Sequence, residues 1–236
     1  EIRLSLVGSE MCIRDSSNGI DNEIEILSAQ DLATQAVIDM KCYVNYYHKG
    51  TFKDQLVYKE QEVNVDLDLA HLKKLNAPIK LKIEKDGNQY LVTGSYYIPV
   101  DAFSSEKEPV KIEKTLASLP ASINTRVGTL HFTQNGKYAL KDGESLKVII
   151  VSPEMAAKGY TKALAVSQTS KTTTIAELVL KDEDPQRSID YLNTLIKVYN
   201  RQANEDKNEI SFRTEQFINQ RLEKICLLYT SPSPRD

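Results

Sequence analysis

No glycine or proline interrupts the chain from Gln186 to Leu228, and this run limits the possible folds more than any other feature. It begins at Asp184, whose carboxylate can cap the orphan N–H groups of a first turn, and Pro185, which suits a first helical position because no donor is needed there. At 100° per residue, Ile189, Leu192, Ile196, Tyr199, Ala203, Ile210, Phe217, Ile218, Leu222 and Ile225 share an arc of roughly 140°, the width of a buried helix face. One helix over 184–225 is therefore predicted, about 60 Å long and well beyond the usual three or four turns.

The two halves of that helix differ. Leu195 and Val198 lie off the stripe and widen it in the first half, which suits a core. From Asn204 onward Glu205, Asp206, Lys207, Glu215, Glu223 and Lys224 leave a narrow stripe, with Glu209 and Arg213 forming a favourable i,i+4 pair. The expectation is a helix rooted in a domain, with its far end projecting to meet another helix. Ile210, Phe217, Ile218 and Leu222 would pack there, flanked by Arg213 and Arg221.

With 236 residues, 41% of them hydrophobic and 27% charged, the chain can form one substantial core or two small ones. A net charge of −3 does not suggest nucleic acid, and no apolar run approaches the roughly 18 residues of a membrane span. The ends stand apart. Residues 1–16 (EIRLSLVGSEMCIRDS) and 226–236 (CLLYTSPSPRD) resemble translated sequencing-adapter read-through, and the helical stripe lapses at Cys226. Both are expected to lie outside the fold, leaving an α+β base with a β-rich insertion over 17–183 and the long helix over 184–225, a fragment of a longer protein. Cys12 and Cys226 fall in those ends. Cys42 then stands alone and carries neither a disulfide framework nor a catalytic signature.

In chain order, 21–28 leads into a helix expected over 29–46, with Ser28 and Asp31 as a capping box, Leu32, Ala36, Val37, Met40 and Val44 on its buried face, and Gly50 as its cap. Alternation of Val63, Val65 and Leu67 with polar residues predicts a strand over 62–68, followed by a helical turn at 69–75. The segments 79–86 and 90–97 read as a hairpin about Asp86–Gly87. A solvated loop is expected over 104–120, then strands at 128–133 and 145–152. A short helix at 153–159 would stop at Gly159, and strands at 163–169 and 173–181 would turn at Ser170 and Lys171. The fold class expected is α+β, with a mainly antiparallel or mixed sheet, a short N-terminal helix and one long C-terminal helix.

Catalytic templates are missing. There is no phosphate loop, dinucleotide fingerprint, H-E-x-x-H or C-x-x-C, and His48, His71 and His131 are scattered. Asp66 and Asp68 project from one strand face, but alternation explains them as a wet face. No catalytic, cofactor or metal residue is assigned.

The segment TTTIAELVLKDEDPQRSIDYLNTLIKVYN resembles the strand-to-helix signature of the Wzz-type chain-length determinant family of polysaccharide co-polymerases. The matching residues are Leu178, Leu180, Asp184, Pro185, Leu192, Asn193, Leu195 and Tyr199. Upstream, DNEIEILSAQDLATQAV is similar to the family's entry into the periplasm. The continuation to Ile225 is similar to Bacteroidetes-type members fused to a cytoplasmic tyrosine autokinase. The resemblance covers 21–43 and 164–225. It implies an inner-membrane ring of like subunits in a Gram-negative bacterium, with this region periplasmic. The ring would regulate chain length and export of a capsular polysaccharide, exopolysaccharide or O-antigen. Its implied partners are other copies of the chain, a polysaccharide polymerase, an outer-membrane export protein and the growing glycan, and its membrane helices and kinase would lie outside this chain. Two other classes remain open: a periplasmic adaptor of a secretion or efflux system, and a glycan-binding β domain.

Overall fold

Alternating apolar and polar residues sort much of the chain into strands, and every pairing among the described residues is antiparallel. The computed structural model describes residues 2–7, 18–50, 52–99, 107–170 and 175–230. Its fold is α+β. A six-stranded sheet runs in the order β3 (Gln55–Val57), β2 (Val44–His48), β10 (Ser145–Ile150), β5 (Ile79–Asp86), β6 (Gln89–Pro99) and β7 (Lys107–Leu116). A three-stranded sheet is ordered β4 (Val63–Leu67), β9 (Gly128–Gln134), β8 (Ala121–Thr125), and another β1 (Ile2–Val7), β12 (Ile175–Leu180), β11 (Leu164–Gln168). The helices are α1 (Asn18–Ser28), α2 (Gln30–Met40), α3 (Leu69–Leu72), α4 (Pro153–Ala163) and α5 (Pro185–Thr230). The chain divides into two compact units, Glu1–Leu195 and Ile196–Asp236.

In the first unit the period-two pattern becomes burial. Ile79, Leu81 and Ile83 of β5 and Leu146, Val148 and Ile150 of β10 are buried, while Lys80, Lys82 and Lys147 between them face solvent. Each such side chain contributes about 2 kcal/mol when fully buried. Val63, Val65, Leu67, Leu130 and Phe132 form the buried face of β4 and β9. Tyrosine hydroxyls tie the larger sheet to these strands. Tyr46 accepts from Val65 N–H at 2.9 Å and donates to its carbonyl at 3.4 Å, and Tyr96 accepts from Arg126 N–H at 3.3 Å. The hairpin of β5 and β6 turns through Gly87, whose φ of +59° favours glycine. Against the β11–β12 sheet, α1 covers both strands, and α4 packs on α2 and β11.

Several boundaries differ from the sequence expectation. The helix expected over 29–46 ends at Met40, because Lys41 turns left-handed at φ 56° and sends its N–H back to the Ile38 carbonyl. Val44 then starts β2, and Gly50 caps nothing in that helix. The capping box at Ser28 and Asp31 is not formed: Ser28 ends α1 and donates to the Ile24 carbonyl, while Ala29 occupies the N-cap without a side-chain bond. The solvated loop expected over 104–120 contains β7, whose charged residues and Pro109 mask the alternation of Val110 and Ile112 and blunt an edge strand. Residues 104–106 of that loop, and Lys171 of the expected turn, lie outside the described residues. Gly159 does not stop α4, which continues to Ala163. Residues 2–7, expected to stand outside the fold, form β1 and pair along the whole of β12, from Ile2 opposite Leu180 to Val7 opposite Ile175. Residues 8–16 lie outside the described residues.

The second unit consists, among the described residues, of the remainder of α5. The expected end at Ile225 moves to Thr230, since Cys226, Leu227, Leu228, Tyr229 and Thr230 include no helix breaker. At 1.5 Å per residue the 46 residues of α5 span about 70 Å. Every residue from Asn204 through Cys226 is exposed, so no described neighbour covers the stripe there.

Candidate functional site

The start of α5 is built as a joint. Asp184 Oδ1 accepts the Arg187 N–H at 2.7 Å, the N-cap bond expected of this residue, and Pro185 occupies the first helical position. Beneath the cap, Arg187 forks onto Asp182 just beyond β12. Its Nε donates to Asp182 Oδ2 at 2.6 Å, a second guanidinium nitrogen meets Oδ1, and the third reaches Asn45 Oδ1 of β2 at 2.9 Å. The same guanidinium lies 6.0 Å from the Tyr160 ring, which stacks at 4.1 Å on Tyr191 of α5. One arginine thus ties β2, α4, the end of β12 and the first turn of α5.

Burial makes this joint selective about charge. Arg187 and Asp182 keep 13% and 9% of their side-chain area in solvent, so each depends on the other for compensation. Burial opposes the charge on Arg187, but the Asp182 hydrogen bonds outweigh it and raise its pKa. Burial pushes the Cys42 thiol up, with Tyr160 and Arg187 pulling the other way, which suits packing rather than nucleophilic attack. Cys42 lies in the turn after α2, not within a helix as expected. A turn further along α5, Asp190 is held below its ordinary range. Burial acts against that shift, but bonds from Lys59, Tyr58 and Gln186 prevail.

Of the family-motif residues, Leu192 and Leu195 are fully buried, Asn193 is exposed, and Tyr199 is half-buried. The buried face of α5 within the first unit is Ser188, Tyr191, Leu192 and Leu195. Ile189, expected on that face, is 39% exposed because the true face is rotated toward Tyr191. The predicted assembly residues Ile210, Phe217, Ile218 and Leu222 are all exposed, at 51–65%, as is Ile225. Arg213 donates to Glu209 at 2.5 Å, and Arg221 lies 5.1 Å over the Phe217 ring. Phe212, not predicted, is exposed as well. Asp182, Arg187, Asn45 and Tyr160 were also missed; only the nearness of Asp182 and Arg187 to the cap could have signalled them.

His48 pairs with Glu62, His71 with Asp68, and His131 Nδ1 lies 3.0 Å from Ser122 Oγ. Among the described residues no group of three His, Cys, Asp or Glu could hold a metal, and no helix is long and apolar enough to cross a membrane. No protein-family model matches the chain, and no curated protein matches it.

Proposed function

We propose that this chain is a periplasmic scaffold of an inner-membrane polysaccharide co-polymerase, in which copies assemble side by side through α5 and thereby regulate the length and export of a surface polysaccharide. The observation that carries this reading is the second unit, where Ile210, Phe217, Ile218, Leu222 and Ile225 stay exposed along one helix between charged flanks. A solvated helix would gain nothing from five large apolar side chains; one that packs on a like helix would bury them. The resemblance of the residues from Leu178 to Tyr199 to the chain-length determinant signature supports this kind of assembly. Membrane helices and any kinase belong, in this reading, to the parent protein.

The joint at Arg187 has a place in the same scheme, because it anchors the first turn of α5 to Asp182 and to Asn45 of β2. The test is made in the full-length parent. Phe217→Asp with Leu222→Asp should disrupt ring assembly, read by cross-linking and electron microscopy, and shift the glycan length distribution on gels. Normal rings with an unchanged distribution would overturn the proposal.

A further inference from the structure

A cleft of about 990 Å³ opens within the first unit, at the upper end of the range of small-molecule sites. Part of its lining comes from β4 and β9. Their register sets Asn64 opposite Thr133 and Asp66 opposite His131, so these four polar side chains share one face while Val63, Val65, Leu130 and Phe132 are buried on the other. Gln61 extends this polar row, and Lys41, Tyr46, Tyr58 and Lys59 complete the part of the lining that bears on recognition.

The lining carries unspent hydrogen-bonding capacity but little unspent charge. Gln61 Nε2 donates to Asn64 Oδ1 at 2.8 Å, which leaves Gln61 Oε1 buried without a partner and the Asn64 amide hydrogens free of any described acceptor. His131 engages Ser122 through Nδ1 and keeps Nε2 available. The cations, by contrast, are paired: Lys41 holds Asp66, Lys59 holds Asp190 and Arg187 holds Asp182, while the exposed Asp68 at the margin of the cleft faces His71. A phosphate would find its cations taken, and a metal would find Asp66 taken and no group of three ligands among the described residues. Adjacent amide acceptors and donors, an imidazole and a hydroxyl beside a tyrosine fit a neutral ligand dense in hydroxyl groups.

Backbone geometry supports the same place. Lys41 and Lys59, with φ of 56° and 64°, are the non-glycine residues in the left-handed region among the described residues, and both border this cleft. Such conformations concentrate at ligand sites, where packing holds them.

We infer that this cleft binds a neutral saccharide, with Gln61 and Asn64 reading a pair of adjacent hydroxyl or amide groups and Tyr58, which carries the Lys59 ammonium 5.1 Å over one ring face, offering its other face to the sugar. The inference stands on the cleft of the first unit and not on the exposed residues of α5 beyond Asn204, so binding to the isolated chain and assembly of the parent can fail separately.

The test titrates the 236-residue chain with cellobiose, maltose and N,N′-diacetylchitobiose, and separately with inorganic phosphate, following amide shifts by NMR. At least one sugar should shift resonances of β4 and β9, and Gln61→Leu and Asn64→Leu should each weaken it about tenfold without changing the melting temperature. Should either variant unfold, Thr133→Val, at an exposed position, takes its place with the same expected loss. The inference is overturned if no sugar shifts the cleft, if the folded variants bind like wild type, or if phosphate binds there and sugars do not.

Discussion

Tyr191 is fully buried and its hydroxyl has no hydrogen-bond partner, so the oxygen is carried at a cost and only the ring packs, against Tyr160. Tyr191→Phe should leave stability unchanged or raise it by about 1 kcal/mol in urea unfolding; a loss of similar size would reveal a bound water or partner. Gly94 is the opposite case. A Cβ there would sit 2.2 Å from the Lys80 carbonyl oxygen of the neighbouring strand, so Gly94→Ala should destabilise by about 2 kcal/mol or more in the same assay. Burial pushes Tyr43 and Tyr46 up to about 12, from roughly 10 in an unfolded chain. Because the folded value is the higher one, their contribution is complete below pH ~10 and is lost as the pH rises through ~12. Tyrosinate absorbance should therefore rise in two phases, the later one coinciding with loss of far-ultraviolet ellipticity. Single residues were legible in the sequence where local chemistry decides them, as at Asp184 and in the alternation at Val63, Val65 and Leu67. Lys41 was not legible, since a lysine gives no sign that it will turn left-handed.

Among elements, the joint between β12 and α5 concentrates the most interaction in the fewest residues. Asp182→Ala would strand the Arg187 guanidinium with Asn45 and an aromatic ring, and should cost about 3–5 kcal/mol by urea denaturation. Glu209→Ala removes a solvent-exposed pair on the same helix and should cost no more than about 0.5 kcal/mol. Long α5 and the hairpin of β5 and β6 were readable because period and punctuation agree. Strand β7 was hidden because an edge strand faces water on most sides, so only Ile112 is buried and its lysines and glutamates imitate a loop. The continuation of α4 through Gly159 shows how weak a stop one glycine is when Tyr160 beyond it has a stacking partner.

At the scale of the molecule, the order of strands was beyond the sequence. Nothing local says that β2 pairs with β10, about a hundred positions away, or that β4 meets β9, and the candidate sugar cleft exists only through that second pairing. The two units should also differ in resistance to protease. A lone helix without a packed face is marginal in water, so trypsin should cut first at Lys207, Arg213, Arg221 and Lys224, leaving the sheet-bearing body intact on a gel. If α5 assembles the parent protein, the same bonds should be shielded in its rings.

The strand Ile2–Val7 has a practical consequence for anyone who trims this chain. Cutting at residue 17 would bare six residues of β12 along a row of unanswered amides and carbonyls, an invitation to stray peptides or to a twin molecule. A shortened version should elute from a sizing column as a dimer or worse, and capping that margin with a synthetic hexapeptide should restore the monomer.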